Sequence, residues 1–150
     1  MSSGALTIAL VLKLAADPMC GGDLIKDPYT LAGYAQHENP KLIPNIVGPV
    51  NPNGTRDYGL AQINERNFGW LGLTYKTALE PCASLHAAAQ YLVAMSVYNT
   101  GDRERGFRNG YVRAGIEAMD RVKGVSPSPR TETPAPQSRI TLAGQIATAK

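Results

Sequence analysis

Residues 27–39 read DPYTLAGYAQHEN, with proline following at position 40. Asp27 before Pro28 marks a helix start. The aspartate side chain can accept from orphan first-turn amides, and proline at the first helical position loses no hydrogen bond. Pro40 pushes Asn39 out of α geometry, so the helix ends by that residue. Between these signals Leu31, Tyr34 and Ala35 fall at i, i+3 and i+4 and form one apolar stripe. Glu38 takes the i+7 place on it, whereas Gln36 and His37 point elsewhere. Desolvation and the negative end of the helix dipole both disfavour a charged carboxylate there, so the pKa of Glu38 is expected to rise. A carboxylic acid that keeps its proton near neutral pH can serve as a general acid. The plainer alternative is a last-turn side chain that curls into water.

Outward from this helix the pattern stays helical. Most apolar residues recur at spacings of three and four, and alternating β-branched runs are almost absent. A first helix is predicted over about 4–16. Residues 40–55, PKLIPNIVGPVNPNGT, carry four prolines and two glycines and predict a long irregular loop. A short helix is predicted around Tyr58–Asn67, a long one from about Pro81 to Tyr98, and a last one from about Gly110 to Lys123. In the last helix Val112, Ile116, Met119 and Val122 form a buried stripe, with Gly124 as the residue just past its end.

The chain of 150 residues suffices for one domain. Hydrophobic content of 43% and charged content of 18% are those of a globular protein. A net charge of +3 is too small to imply nucleic-acid binding. Residues 125–137, VSPSPRTETPAPQ, cannot bury a core face and read as an extended linker, followed by the tail ITLAGQIATAK. The domain is therefore expected over 1–124 and the linker and tail over 125–150. Cys20 and Cys82 could form one disulfide or remain two buried thiols, and no CxxC spacing suggests structural zinc. The apolar run Ala5–Leu12 has signal-peptide length but no positive charge before it. A first helix of the domain is the alternative, and the run is far too short to span a bilayer.

Two stretches are dense in amide and aromatic side chains: RDYGLAQINERNFGWLGL at 56–73 and SVYNTGDRERGFRNGYV at 96–112. Amides and tyrosine hydroxyls suit sugar hydroxyl and acetamido groups, and Trp70 offers a flat face to a pyranose ring. With AQHEN, GLAQIN and YNTG in this order, the chain resembles the soluble lytic transglycosylases. RDYGLAQINERNF, LEPCASL and YNTGDRERGFRNGYV resemble the branch that accompanies type IV secretion and conjugation systems. The resemblance covers roughly residues 20–115.

That resemblance implies a mainly α, lysozyme-like fold and cleavage of the peptidoglycan glycan strand. Glu38 matches the catalytic acid, Gln62 the amide beside it, and Tyr98 and Asn99 the residues of the opposite cleft wall. It pairs Cys20 with Cys82 in a disulfide. It also implies a periplasmic or wall-exported monomer that needs no metal or cofactor and meets secretion components, with the C-terminal tail as a contact. Asn39 stands where the family usually has Ser, and Pro40 where Gly is common. Asn39 can still hydrogen-bond a carboxylate or substrate.

A paired-carboxylate glycosidase would need a second acid. Asp57 and Glu65 are the nearby candidates, and they read more simply as a helix N-cap and a surface charge. A metal site from His37, Glu38 and His86 lacks HExxH spacing. The family's two helices between LEPCASL and YNTG are represented here only by AAAQYLVAMSV, residues 87–97. A helix-sized segment is missing, which bears directly on where Tyr98 and Asn99 stand. A hydrolytic lysozyme of the same fold and a wall-binding scaffold are the competing functions.

Overall fold

The structure is a computed structural model that describes residues 4–123. The expected linker and tail at 125–150 and the Gly124 cap lie outside the described residues, as do the side chains of Met119 and Val122. The described chain is mainly helical: α1 (Ile8–Ala16), α2 (Pro28–Glu38), α3 (Phe68–Leu71), α4 (Pro81–Thr100), α5 (Arg105–Arg108) and α6 (Tyr111–Lys123). One small hairpin, β1 (Asp57–Tyr58) and β2 (Ile63–Asn64), interrupts them.

Helix α1 starts later than the expected residue 4 because Thr7 caps it, its hydroxyl accepting from the Leu10 amide at 3.1 Å. The helix packs along α2 and buries Val11 and Ala15 completely. Of the apolar N-terminal run, Val11 is buried, whereas Ile8 and Leu10 are exposed. Among the described residues no helix is long and apolar enough to cross a membrane. Helix α2 has the predicted bounds, with Asp27 Oδ1 accepting from the Tyr29 amide at 3.0 Å and Pro28 in the first turn.

Helix α4 is one continuous rod of 20 residues through the molecule. Leu85, Leu92 and the run Ala87–Ala89 are buried on it, beside Leu31 of α2 and Leu60 of the hairpin turn. Each buried leucine contributes about 1.5–3 kcal/mol through removal from water. Cys20, in the short 3₁₀ turn after α1, is bonded to Cys82 in the first turn of α4, with Cα atoms 4.6 Å apart. The link spans 62 residues of chain. Closing a loop of that length stabilises by about 4 kcal/mol in the chain-entropy account.

The helix expected around Tyr58–Asn67 is absent, and a hairpin stands in its place. Asp57 pairs with Asn64 and Tyr58 with Ile63. A helix cannot pass through Gly59, whose φ is +81°, in the left-handed region. A side chain there would also collide with the Ala78 carbonyl. Loop 40–55 is irregular as expected, but its Val47 bridges Tyr58, and Gly59 N donates to Ile46 O at 2.8 Å. The loop therefore acts as a third edge of the hairpin. After it, Glu65–Asn67 form a 3₁₀ turn that leads into α3.

Candidate active site

Glu38 is the last residue of α2 and is half-buried. The phase of that helix is as the sequence indicates: Leu31 and Ala35 are fully buried, and Gln36 and His37 are exposed. Asn39 fixes this helix end. It is 4% exposed. Its side-chain nitrogen donates to Ile43 O at 2.8 Å and Leu60 O at 3.3 Å, and its oxygen accepts from Ile43 N at 3.3 Å. The Asn39 amide thus bonds backbone through both its nitrogen and its oxygen. It ties the end of α2 to the turn that carries Gln62.

That turn is held from several sides. Ala61 N donates to Ser84 Oγ of α4 at 2.9 Å, and Gln62 N donates to Gly59 O at 3.1 Å. Gln62 is half-buried with φ +51°, an uncommon value for a residue with a side chain. Its Nε2 also donates to Gly59 O, at 3.0 Å. Its Oε1 lies 3.0 Å from where a side chain on Gly48 would begin, a tight approach that a larger residue there would press on.

The two further carboxylates have structural duties. Asp57 is not a helix N-cap. It is a strand residue, 8% exposed, and its Oδ1 accepts from Asn64 Nδ2 at 2.8 Å and Asn51 Nδ2 at 3.4 Å. Glu65 is more than a surface charge, because it accepts from Arg56 N at 2.8 Å and Tyr75 Oη at 2.6 Å. These bonds, the tyrosine's first, hold the Glu65 carboxyl below its ordinary pKa. Tyr75 in turn meets Tyr58 and Phe68 edge to face, with ring centroids 5.2 Å from each.

Tyr91 of α4 is half-buried. Its ring tilts 39° to that of Trp70, centroids 6.3 Å apart, and Trp70 Nε1 donates to Asn67 Oδ1 at 3.2 Å. Burial, and after it the negative charge of Glu38, push the Tyr91 hydroxyl up to about 12. Tyr98 and Asn99 are half-buried at the C-terminal end of α4. Tyr98 borders a cavity of about 500 Å³ with Leu24, His86, Val93, Val97 and Arg103. His37 borders a different cavity, of about 420 Å³, with Tyr34, Leu92 and Phe107. The two histidines thus stand at separate places. Among the described residues no group of three His, Cys, Asp or Glu is placed to hold a metal ion.

Residues 26–115 match the transglycosylase SLT domain, which is more than half of the chain. The chain belongs to the transglycosylase SLT family. This SLT domain is also 40% identical over 115 residues to protein virB1 of Agrobacterium fabrum, covering 64% of this chain and 47% of that relative. It is 48% identical over 75 residues to protein virB1 of Rhizobium radiobacter, covering 38% of this chain and 31% of that relative. The chain spans less than half the length of these curated relatives. No solved structure matches.

Both alignments are longer than the part of the SLT domain that they cover. Of the chain's 150 residues, 64% is about 96, against 115 aligned positions. In the second case 38% is about 57, against 75. About 19 and about 18 positions thus lack a counterpart. The deficit is about the size of the segment expected to be missing between LEPCASL and YNTG, and α4 is continuous there. In this SLT domain the available chemistry is one partly desolvated carboxyl group, an adjacent carboxamide turn and an aromatic pair.

Proposed function

We propose that this SLT domain is a peptidoglycan lytic transglycosylase in which Glu38 is the single acid–base group. The reading rests on one observation above the others. Glu38 closes a core helix, is half-buried, and is stapled through Asn39 to the Gln62 turn while its charge reaches Tyr91.

Glu38 gives its proton to the glycosidic oxygen between N-acetylmuramic acid and N-acetylglucosamine, and the bond from C1 to that oxygen breaks. The substrate's acetamido oxygen supports C1 as the leaving sugar departs. Glu38, now a carboxylate, takes the proton of the muramic 6-hydroxyl, whose oxygen bonds C1 and displaces the acetamido oxygen. The product is a 1,6-anhydro sugar, and no water is consumed. A single carboxyl suffices, in keeping with the structural duties of Asp57 and Glu65.

The disulfide suits an oxidising compartment, so the expected place of action is the periplasm or cell wall. Similarity to the two virB1 proteins supports service to a type IV secretion or conjugation apparatus, with its components as partners. Mass spectrometry of digested sacculi tests the chemistry: anhydro-muramyl ends are expected. Reducing ends would instead indicate a hydrolytic lysozyme of the same fold. The shortened chain before YNTG favours a second reading, a wall-binding scaffold. That reading is adopted if the protein binds sacculi and never clears them.

A further inference from the structure

The outward face of α4 is patterned for a second helix. His86, Gln90, Val93 and Val97 follow one another at spacings of four, three and four, the seam spacing of paired helices. All four line the cavity of about 500 Å³, which Leu24 and Arg103 border from outside the helix. We propose that this seam is the interface of a homodimer, in which α4 of a second copy lies antiparallel in the groove about a two-fold axis. The proposal goes beyond the transglycosylase reading and does not depend on it.

Helix α4 carries two rows at helical spacing. Leu85, Ala88, Leu92 and Met95 form the first, and all four are buried in the core. His86, Gln90, Val93 and Val97 form the second, on the groove side. This second row is open: Val97 is 41% exposed and Val93 is half-buried. A single exposed valine needs no explanation, but a row at seam spacing along an unbroken helix of 20 residues fits another helix. From His86 to Val97 the seam is about 17 Å long. Tyr98 lines the same groove, so a second copy seated there covers that tyrosine.

Charges at the two ends of the helix choose the occupant. Glu80 stands just before α4 and Arg103 shortly after it, and both are exposed. Near Arg103, Asp102 accepts from the Glu104 and Arg105 amides at 2.7 and 2.8 Å, and Glu104 meets Arg108 at 3.3 Å. Arg103 is the charged side chain that lines the groove. In an antiparallel pair centred between Tyr91 and Leu92, Gln90 faces Val93 of the second copy and His86 faces its Val97. The same symmetry brings Glu80 to Arg103 of the second copy, and each contact is made twice. Each layer of the seam then sets a β-branched side chain against a longer polar one, whose polar end can reach water. A parallel pair would instead set Arg103 against Arg103 and Glu80 against Glu80, which is repulsive. Helix α4 thus supplies both the groove and an occupant whose end charges complete it.

Analytical ultracentrifugation of the full chain tests the proposal. As concentration rises, the mass should climb from 16.0 kDa towards twice that value. Val97→Asp buries an unpaired carboxylate twice in the seam and should weaken association about 100-fold or more. Its unfolding temperature in dilute solution should stay that of the parent, because Val97 is exposed in the single chain. Arg103→Glu replaces two opposite-charge pairs by two like-charge pairs and should weaken association about 5–10-fold. Adding Glu80→Arg to that variant should restore association to within about twofold. This rescue requires the antiparallel pairing and does not depend on how well Val97→Asp folds. A mass that stays at 16.0 kDa up to the solubility limit would overturn the proposal. A dimer that survives Val97→Asp, or a loss by Arg103→Glu that Glu80→Arg does not rescue, would overturn it too. None of these outcomes touches the transglycosylase reading, which the products of wall digestion decide.

Discussion

GLAQIN and YNTG are held in place in different ways. The Gln62 turn is fixed by long-range bonds: Asn39 of α2 donates to Leu60 O, Ser84 of α4 accepts from Ala61 N, and Ile46 of the loop accepts from Gly59 N. The YNTG end is fixed by local bonds. Thr100 Oγ1 donates to Ser96 O and to Asp102 O, both at 2.9 Å, and accepts from Asp102 N at 3.0 Å. Ser96 Oγ donates to Asp102 O at 2.7 Å and accepts from Gly106 N at 2.8 Å. The first arrangement ties a motif directly to the end of the helix that carries Glu38. The second carries its motif wherever the end of α4 goes. Motif order alone does not reveal this difference.

Substitutions on each side can break or sharpen the contrast. The largest effect is expected at Glu38: Glu38→Gln should reduce wall clearing in a zymogram by about 10²–10⁴-fold, the usual worth of a positioned acid–base group. Unchanged clearing would remove Glu38 from the chemistry. Next comes Cys82→Ser, which should cost about 2–5 kcal/mol in denaturant unfolding. It frees the start of α4 from the turn after α1, so both motifs should lose their common anchor.

The sharpest comparison pairs Asn39→Ala with Thr100→Val. The first leaves the Leu60 and Ile43 carbonyls without their partner and should cost about 1–3 kcal/mol, together with a clear loss of activity. The second should cost about 1 kcal/mol and leave activity within about twofold. Equal activity losses would erase the distinction between the two regions.

The smallest effect is expected at Tyr75→Phe. Glu65 is held below its ordinary pKa mainly by the Tyr75 hydroxyl, so it binds fewer protons folded than unfolded. Its contribution is therefore present above the unfolded carboxylate value and is lost as pH falls through the folded one. The variant should melt slightly earlier than the parent at pH 7 and together with it in strong acid. A gap that persists in acid would assign the effect to ring packing instead.

The reading from sequence succeeded where a signal was strong and local. Asp27 with Pro28 gave the start of α2, Pro40 gave its end, and the i+7 spacing gave the direction of Glu38. The cysteine pairing came from resemblance, since 62 residues of separation carry no geometry of their own. The hairpin was missed because its strands are two residues each, too short to show alternation. Gln62 at positive φ has no sequence signature, and Asp57 before a polar turn looks the same whether it caps a helix or anchors a loop. Helix α5 was missed too. It is four residues long and leans on Ser96, a contact that no periodicity encodes.

The unbroken course of α4 makes the helix a ruler. Each residue added between Tyr91 and Tyr98 would move everything beyond it by about 1.5 Å and turn it by about 100°. Because Ser96 and Thr100 bind the following turn so closely, α5 and α6 would swing with it as one arm. A single insertion would rotate the YNTG end away, whereas four would nearly restore its direction at a reach about 6 Å longer. Length in this helix is thus a setting, and the distance across the domain can be tuned in steps of one turn without substituting a single residue.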